Sequence, residues 1–239
     1  TLEDAREYNI IGCVEPQKSG KTNGWHDAAF FNMCRPLELV FANGMDKGVQ
    51  VGIQTGDVTK MNTFDEFYDA YKKQMEYCIS LMVNADNAID VAHAERCPLP
   101  FLASMVDDCL TRGLTAEQGG AVYNFTGPQG FGIANMADSL YAIRKLVYED
   151  KKVSMETYKE ALAWNYDKGL DEKSVADMSE MILKGMQDAG MTVNEDTAKA
   201  VLQTVMRLKP SDEQIQKFTE LHDMVDEVPK FGNAIDDVD

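Results

Sequence analysis

The sequence predicts a helix-rich α/β fold, and three observations carry that expectation. A capping box at Thr63-Phe64-Asp65-Glu66 opens a run in which Phe64, Phe67, Tyr71, Met75, Cys78 and Met82 recur at three- and four-residue steps. Further stretches of helical period fill most of the chain after Asn135. Strand-like runs are few and short, and irregular glycine-bearing segments lie beside them.

Taken in order, Tyr8-Asn9-Ile10-Ile11-Gly12 reads as a short buried strand running into a loop at Cys13. Gly20 and Gly24 keep the next segment irregular, and Ala28 to Phe41 reads as a helix. The helix opened by the capping box reaches about Glu95, with the Thr63 oxygen and the Glu66 carboxylate satisfying free N–H groups at its start. Cys97-Pro98-Leu99-Pro100 ends it, because proline cannot continue the hydrogen-bond ladder. Helices are then expected over Leu102–Arg112, Asn135–Tyr148, Met155–Tyr166, Val175–Ala189, Glu195–Leu208 and Asp212–Val225. The Gly127-Pro128-Gln129-Gly130 turn and Gly132 place an irregular loop just before one of them.

At 239 residues and 44% hydrophobic, the chain can bury one large core or two small ones. Its net charge of −17 argues against nucleic acid and against an anionic membrane surface, since both attract basic patches. No stretch approaches the roughly 20 apolar residues of a membrane helix, and no charged-then-apolar leader opens the sequence. Cysteines at 13, 34, 78, 97 and 109 form no CxxC pair, which reads as reduced thiols and a cytoplasmic setting. Cys34, Cys78 and Cys109 occupy apolar helical positions and read as buried small hydrophobes. Met178, Met181, Met186 and Met191 read as core packing, and His222 as a solvated histidine.

The chemistry concentrates at Gly12-Cys13-Val14-Glu15-Pro16. In a strand, Cys13 and Glu15 would share a face; at a tight loop tip both would lean toward one cavity. A thiol beside a carboxylate suits a reaction that removes hydrogen twice, once as an atom and once as a proton. His26 and Asp27 follow on a glycine-flexed segment beside an aromatic, and such a polar pair suits substrate hydroxyls; from the residues alone, a structural role is equally open.

Rival readings fail on particular residues. Glu15 to Thr22 imitates a phosphate-binding GxxxxGK[ST] loop, but Glu15 stands where the backbone must curl around phosphate. His93-Ala94-Glu95 with Cys97 lacks the Pro-Cys-x-x-Cys of a zinc deaminase and reads as an ordinary polar helix end. Asn84, Asp86 and Asp90 lack the sharp-turn glycine of a calcium loop.

Several motifs in order carry a family resemblance. They are Gly12 to Pro16 with its continuation through Trp25-His26-Asp27-Ala28-Ala29-Phe30-Phe31-Asn32, then Asn84-Ala85-Asp86-Asn87 and Ala92-His93-Ala94-Glu95-Arg96. Tyr123 to Asp138 and Val228-Pro229-Lys230-Phe231-Gly232-Asn233 complete the set. On these the chain resembles the glycyl radical enzymes of the pyruvate formate-lyase family, nearest the branch of B12-independent glycerol and diol dehydratases and their lyase relatives. The match is loosest between Asp150 and Pro210.

The resemblance implies part of a ten-stranded α/β barrel with the Cys13 loop in its interior. Residues 1–239 would be an internal fragment of the catalytic barrel domain, with 150–210 a peripheral helical excursion. In the family a glycyl radical lies in a C-terminal segment reading approximately Arg-Val-Ser/Ala-Gly-Tyr. No such segment occurs in this sequence, so the fragment alone is expected to be inactive. Beyond that radical, no bound metal or organic cofactor is expected. The implied partners are a small hydroxylated substrate, a radical-SAM activating enzyme with an iron–sulfur cluster, and a second copy in a full-length homodimer.

By the same resemblance Cys13 is the thiyl-forming residue. It should rest as a neutral thiol, because a thiolate has no hydrogen atom to give, and a water-poor pocket beside an acid favours that form. Glu15 matches the family's general base, Asp27 a substrate-hydroxyl contact with His26 beside it, and Gln129 a position near the cavity. The choline-cleaving branch has threonine at the place of His26 and tyrosine at that of Phe30, so choline is disfavoured. Pyruvate formate-lyase itself uses two adjacent cysteines where this chain has one, which disfavours a formate C-acetyltransferase-like activity. The expected reaction is loss of water from a small 1,2-diol such as glycerol or propanediol. The alternatives are a carbon–sulfur lyase acting on an isethionate-like hydroxy-sulfonate, the disfavoured formate C-acetyltransferase-like enzyme, and a non-catalytic truncated homologue acting as a partner or remnant.

Overall fold

The computed structural model describes residues 1–12, 15–164, 172–207 and 210–231, so Cys13, Tyr166, Leu208 and Gly232-Asn233 lie outside the described residues. The chain forms two compact units, residues 1–57 with 67–136, and residues 58–66 with 137–239.

The first unit opens with α1 (Leu2–Arg6) and a hairpin of β1 (Tyr8–Ile11) and β2 (Glu15–Lys18), antiparallel, with Ile11 opposite Glu15. The strand at Tyr8 is present, but not buried: all four β1 residues are exposed, because β2 is its only strand partner and nothing described covers its faces. The helix expected over Ala28–Phe41 is half strand. After β3 (Thr22–Trp25), Phe30–Asn32 forms β4, where paired aromatics fit a pleated surface better than a helix. Only Arg35–Phe41 is helical (α2), with Pro36 in the first turn, the one place its missing N–H costs nothing. The Asn32 side chain accepts the Cys34 N–H at 3.0 Å where the strand gives way to the helix. A tight hairpin follows, β5 (Met45–Asp46) and β6 (Val49–Gln50), with Lys47 and Gly48 both at positive φ, as a primed two-residue turn requires.

The long helix is where its period placed it, α3 (Phe64–Arg96). Its cap departs slightly from a reciprocal box. Thr63 accepts the Glu66 N–H at 3.2 Å, while the Glu66 carboxylate reaches one residue further back to the Asn62 N–H at 2.7 Å. Phe67, Ala70 and Tyr71 are buried on one face beside a polar residue, Gln74, that is also fully buried. The Gln74 amide takes both backbone groups of Ile53: its oxygen accepts the N–H at 3.2 Å and its nitrogen donates to the carbonyl. It acts as a one-residue strand partner for a segment that has none.

The helix expected over Leu102–Arg112 is broken into α4 (Pro100–Ala103) and α5 (Cys109–Arg112). Asp108 takes a left-handed φ of 80°, and the Asp107 N–H leaves the helical ladder for the Gly20 carbonyl at 2.7 Å. The Gly127-Pro128-Gln129-Gly130 segment is not one irregular loop. It joins two short strands, β7 (Tyr123–Thr126) and β8 (Gln129–Phe131), which run parallel to β3 and β4 respectively. Parallel partners need a long crossover, and α3 lies within it.

In the second unit, α6 (Ile133–Ile143) runs on into a π-helical turn, Arg144–Glu149; residues 137–149 of this stretch belong here. Helices α7 (Met155–Ala163), α8 (Glu172–Asp188), α9 (Glu195–Arg207) and α10 (Asp212–Glu227) follow, close to their expected spans. Leu146, Tyr158, Phe218 and Leu221 are buried there, and α7 packs on α10. The methionine stripe is not all core: Met181 and Met191 are 68% and 55% exposed, although α8 packs on α9. No helix among the described residues is long and apolar enough to cross a membrane.

Candidate active site

Two parallel strand paths build the site. Trp25 pairs with Thr126 and Phe30 with Gln129, so the span from 25 to 30 faces the shorter span from 126 to 129. The first path therefore carries two extra residues, a wide bulge that holds His26 and Asp27 out of the ladder. The backbone bridges it at both ends, Gly127 N–H to the Trp25 carbonyl at 2.7 Å and Gln129 N–H to the Ala29 carbonyl at 2.8 Å. Between them stands Pro128, which has no N–H to leave unpaired. A Cβ at position 127 would sit 3.2 Å from the His26 Cα, a tight contact that a glycine avoids.

Glu15, at the start of β2, is 7% exposed. Its carboxylate folds back over Gly12, which has φ +59°; a Cβ there would come within 2.6 Å of Glu15 Oε2. A buried carboxylate thus lies against Gly12, the residue that precedes Cys13 in the sequence. Cys13 itself lies outside the described residues.

Gln129 brings the other expected site residues together. Three acceptors surround its Nε2, Glu15 Oε1 at 3.1 Å, the His26 carbonyl at 3.2 Å and Asp27 Oδ1, and the two hydrogens of the amide are shared among them. One amide nitrogen links two carboxylates that stand 114 and 102 residues before it. The His26 ring packs edge-on against Phe125 with centroids 4.8 Å apart, and its Nε2 is buried with no hydrogen-bond partner among the described residues.

The sequence also undervalued part of α3. His93 is no ordinary polar helix end. It is half-buried and stacks on Trp25 at 4.4 Å, with its Nδ1 buried and unpartnered among the described residues. Trp25, Asp27, Asp86, Asp90, His93 and Thr126 line a cavity of about 150 Å³, and Thr126 donates to Asp90 at 2.7 Å. Asn84, Asp86 and Asp90 all stand on continuous helix, not on a calcium-type loop. The helical spacing of Asp86, Asp90 and His93 was legible; that this face meets Trp25 was not.

Other singled-out residues lie elsewhere. Residues 15–18 form a strand and Lys21 pairs with Asp4 at 2.7 Å, so the imitation phosphate loop is not built. Cys34 and Cys78 are half-buried and Cys109 is buried, and burial pushes all three thiols up from their ordinary range. Among the described residues no three or more His, Cys, Asp or Glu side chains are grouped to hold a metal ion.

Comparison with known proteins bears on this geometry. The family model of pyruvate formate lyase-like proteins matches residues 1–239. A solved structure concerned with 1,2-propanediol dehydration in Roseburia inulinivorans is similar over 100% of this chain, at 56% identity and a TM-score of 0.84, with 28% of its own chain covered. The glycerol-bound B12-independent glycerol dehydratase from Clostridium butyricum is similar over 87% of this chain and 25% of its own, at 47% identity and a TM-score of 0.68. A (2S)-3-sulfopropanediol dehydratase from Klebsiella oxytoca is 40% identical over 156 residues, 64% of this chain and 19% of its own. The chain spans about a fifth of the length of the curated relatives it matches.

Proposed function

Because the chain belongs to the pyruvate formate lyase-like family, we propose that the protein it represents is a glycyl radical dehydratase that removes water from a small 1,2-diol. The observation that carries this reading is the Glu15–Gln129–Asp27 arrangement, a buried carboxylate beside the Cys13 loop joined to a second carboxylate at the bulge. The similarity over the whole chain to the 1,2-propanediol structure supports a diol over other substrates.

The glycyl radical supplies hydrogen-atom removal from a thiol. The surroundings of the Cys13 loop fit that use. Gly12 lets the Glu15 carboxylate approach within a distance no side chain there would permit, and the carboxylate is shielded from water. In our reading, Cys13 then takes a hydrogen atom from C1 of the diol. The C1 hydroxyl becomes more acidic once its carbon carries an unpaired electron, and Glu15 accepts that proton. The C2 hydroxyl departs as water with the proton that Glu15 took up, which restores the carboxylate, and Cys13 returns a hydrogen atom to C2, leaving an aldehyde. Asp27 holds a substrate hydroxyl from the exposed side of the bulge, with His26 Nε2 available beside it. The binding energy of those contacts orients C1 toward the thiol and C2–OH toward departure.

The test is anaerobic turnover by the full-length polypeptide after treatment with a radical-SAM activating enzyme. Propanal from 1,2-propanediol or 3-hydroxypropanal from glycerol is the expected product. Glu15→Gln should lower turnover by about 10²–10⁴-fold, the range of a lost general base. Sulfite release from isethionate without diol turnover would replace the dehydratase reading with the carbon–sulfur lyase.

A further inference from the structure

We infer that Gln129 is a positioning residue: its side-chain amide keeps Glu15 ionised and in fixed register with Asp27, so that the base is ready for its proton. This rests on Glu15 being the base.

A carboxylate 7% exposed is pushed toward its neutral, protonated form by burial, and a second carboxylate nearby pushes in the same direction. A base that already holds its proton is spent. The NH₂ of Gln129 answers both effects. It donates to Glu15 Oε1 and Asp27 Oδ1 at once, and hydrogen bonds to the charged form favour that form. A lysine would stabilise the charge too strongly for the carboxylate to accept a proton readily; a neutral amide holds it and leaves it basic. The His26 carbonyl, 3.2 Å from the same nitrogen, shares one of its two hydrogens and ties the amide to the bulge backbone. With both carboxylates ionised, all three groups are acceptors, and the nitrogen is the end of the amide that can serve them. Of the titratable groups, Asp27 shares the Gln129 amide with Glu15, His26 stands next to Asp27 on the bulge, and Cys13 precedes Glu15 by two positions in the sequence.

The experiment uses full-length, radical-bearing protein with Gln129→Met, which keeps the length and loses the donors, and Gln129→Glu, which adds a third carboxylate. Glycyl radical spin count checks folding and activation, and loss of deuterium from C1-deuterated diol reports hydrogen abstraction separately. In both variants the acid limb of the kcat–pH profile should move up by about one pH unit or more, with kcat falling more than KM rises. Infrared titration of the Glu15 carboxyl, assigned by difference from Glu15→Gln, should show protonation at the same higher pH and needs no turnover. An unmoved acid limb and an unmoved Glu15 band would overturn the inference, and a rise in KM alone would make Gln129 a substrate contact. If Glu15→Gln turned over diol like the unaltered protein, the base assignment would fail, while the infrared band would still score the hold of Gln129 on Glu15.

Discussion

Gly12→Ala tests the placement of Glu15 most directly. The substitution has two separable costs. Gly12 has φ +59°, a conformation that costs an L-residue about 1–2 kcal/mol. The new methyl would also lie 2.6 Å from Glu15 Oε2 and 3.2 Å from its carboxyl carbon, so the carboxylate must retreat by roughly 0.8 Å to reach ordinary contact. Gly20 supplies the control: its φ is +73°, and nothing lies within 4 Å of a Cβ placed there. Gly20→Ala bears the backbone cost without the collision. A displacement near 1 Å in a reacting group costs about 10²-fold in rate. We therefore expect the two variants to lose similar stability, while only Gly12→Ala loses about a hundredfold in kcat. The assay is anaerobic diol turnover normalised to glycyl spin, with thermal melting alongside. Equal kcat for the two variants would refute the claim that Gly12 exists to let Glu15 approach.

Other consequences follow from the same contacts. Gln74→Leu strands the N–H and carbonyl of Ile53 and should cost about 2–4 kcal/mol, read from denaturant midpoints; a loss under about 0.5 kcal/mol would mean water replaces the amide. Asp4 accepts from Lys21 first, then Tyr123 and Thr1, which holds its carboxyl well below the ordinary value of 3.8. Its contribution is thus complete above that value and lost as pH falls below it, so Asp4→Asn should flatten the acid limb of the stability–pH curve, and an unchanged limb would dismiss Asp4 as its source. Residues 1–239 in isolation leave Phe101, Leu110 and Phe30 at 79%, 75% and 68% exposure, and should bind a hydrophobic dye; a sharp cooperative melt without dye binding would contradict this.

Helices were legible because their signals are local. The Thr63 cap and the Phe67–Tyr71 spacing act within a few residues of the bonds they specify, and α3 ends within one residue of its expected limit. The Ser211–Gln214 box similarly starts α10 at Asp212. The misses share one cause. Phe30 and Phe31 suit either state, and what makes them a strand is β8, about a hundred residues away in sequence. Asp108 gives no periodic warning that the chain leaves the helix, because the competing acceptor is the Gly20 carbonyl.

The site divides along the same line. Sequence alone supplied the candidates: Cys13 and Glu15 share one short motif, His26-Asp27 follow on a glycine-flexed segment, and Gln129 entered through the family resemblance. Only tertiary structure decided what those residues do to one another. The two-residue excess at His26-Asp27 exists only relative to the partner strand, and the close approach of Gly127 to the His26 backbone only where that strand closes over the bulge. One amide reaching two carboxylates more than a hundred residues earlier depends on the register of a parallel pair, and no local period encodes such a register.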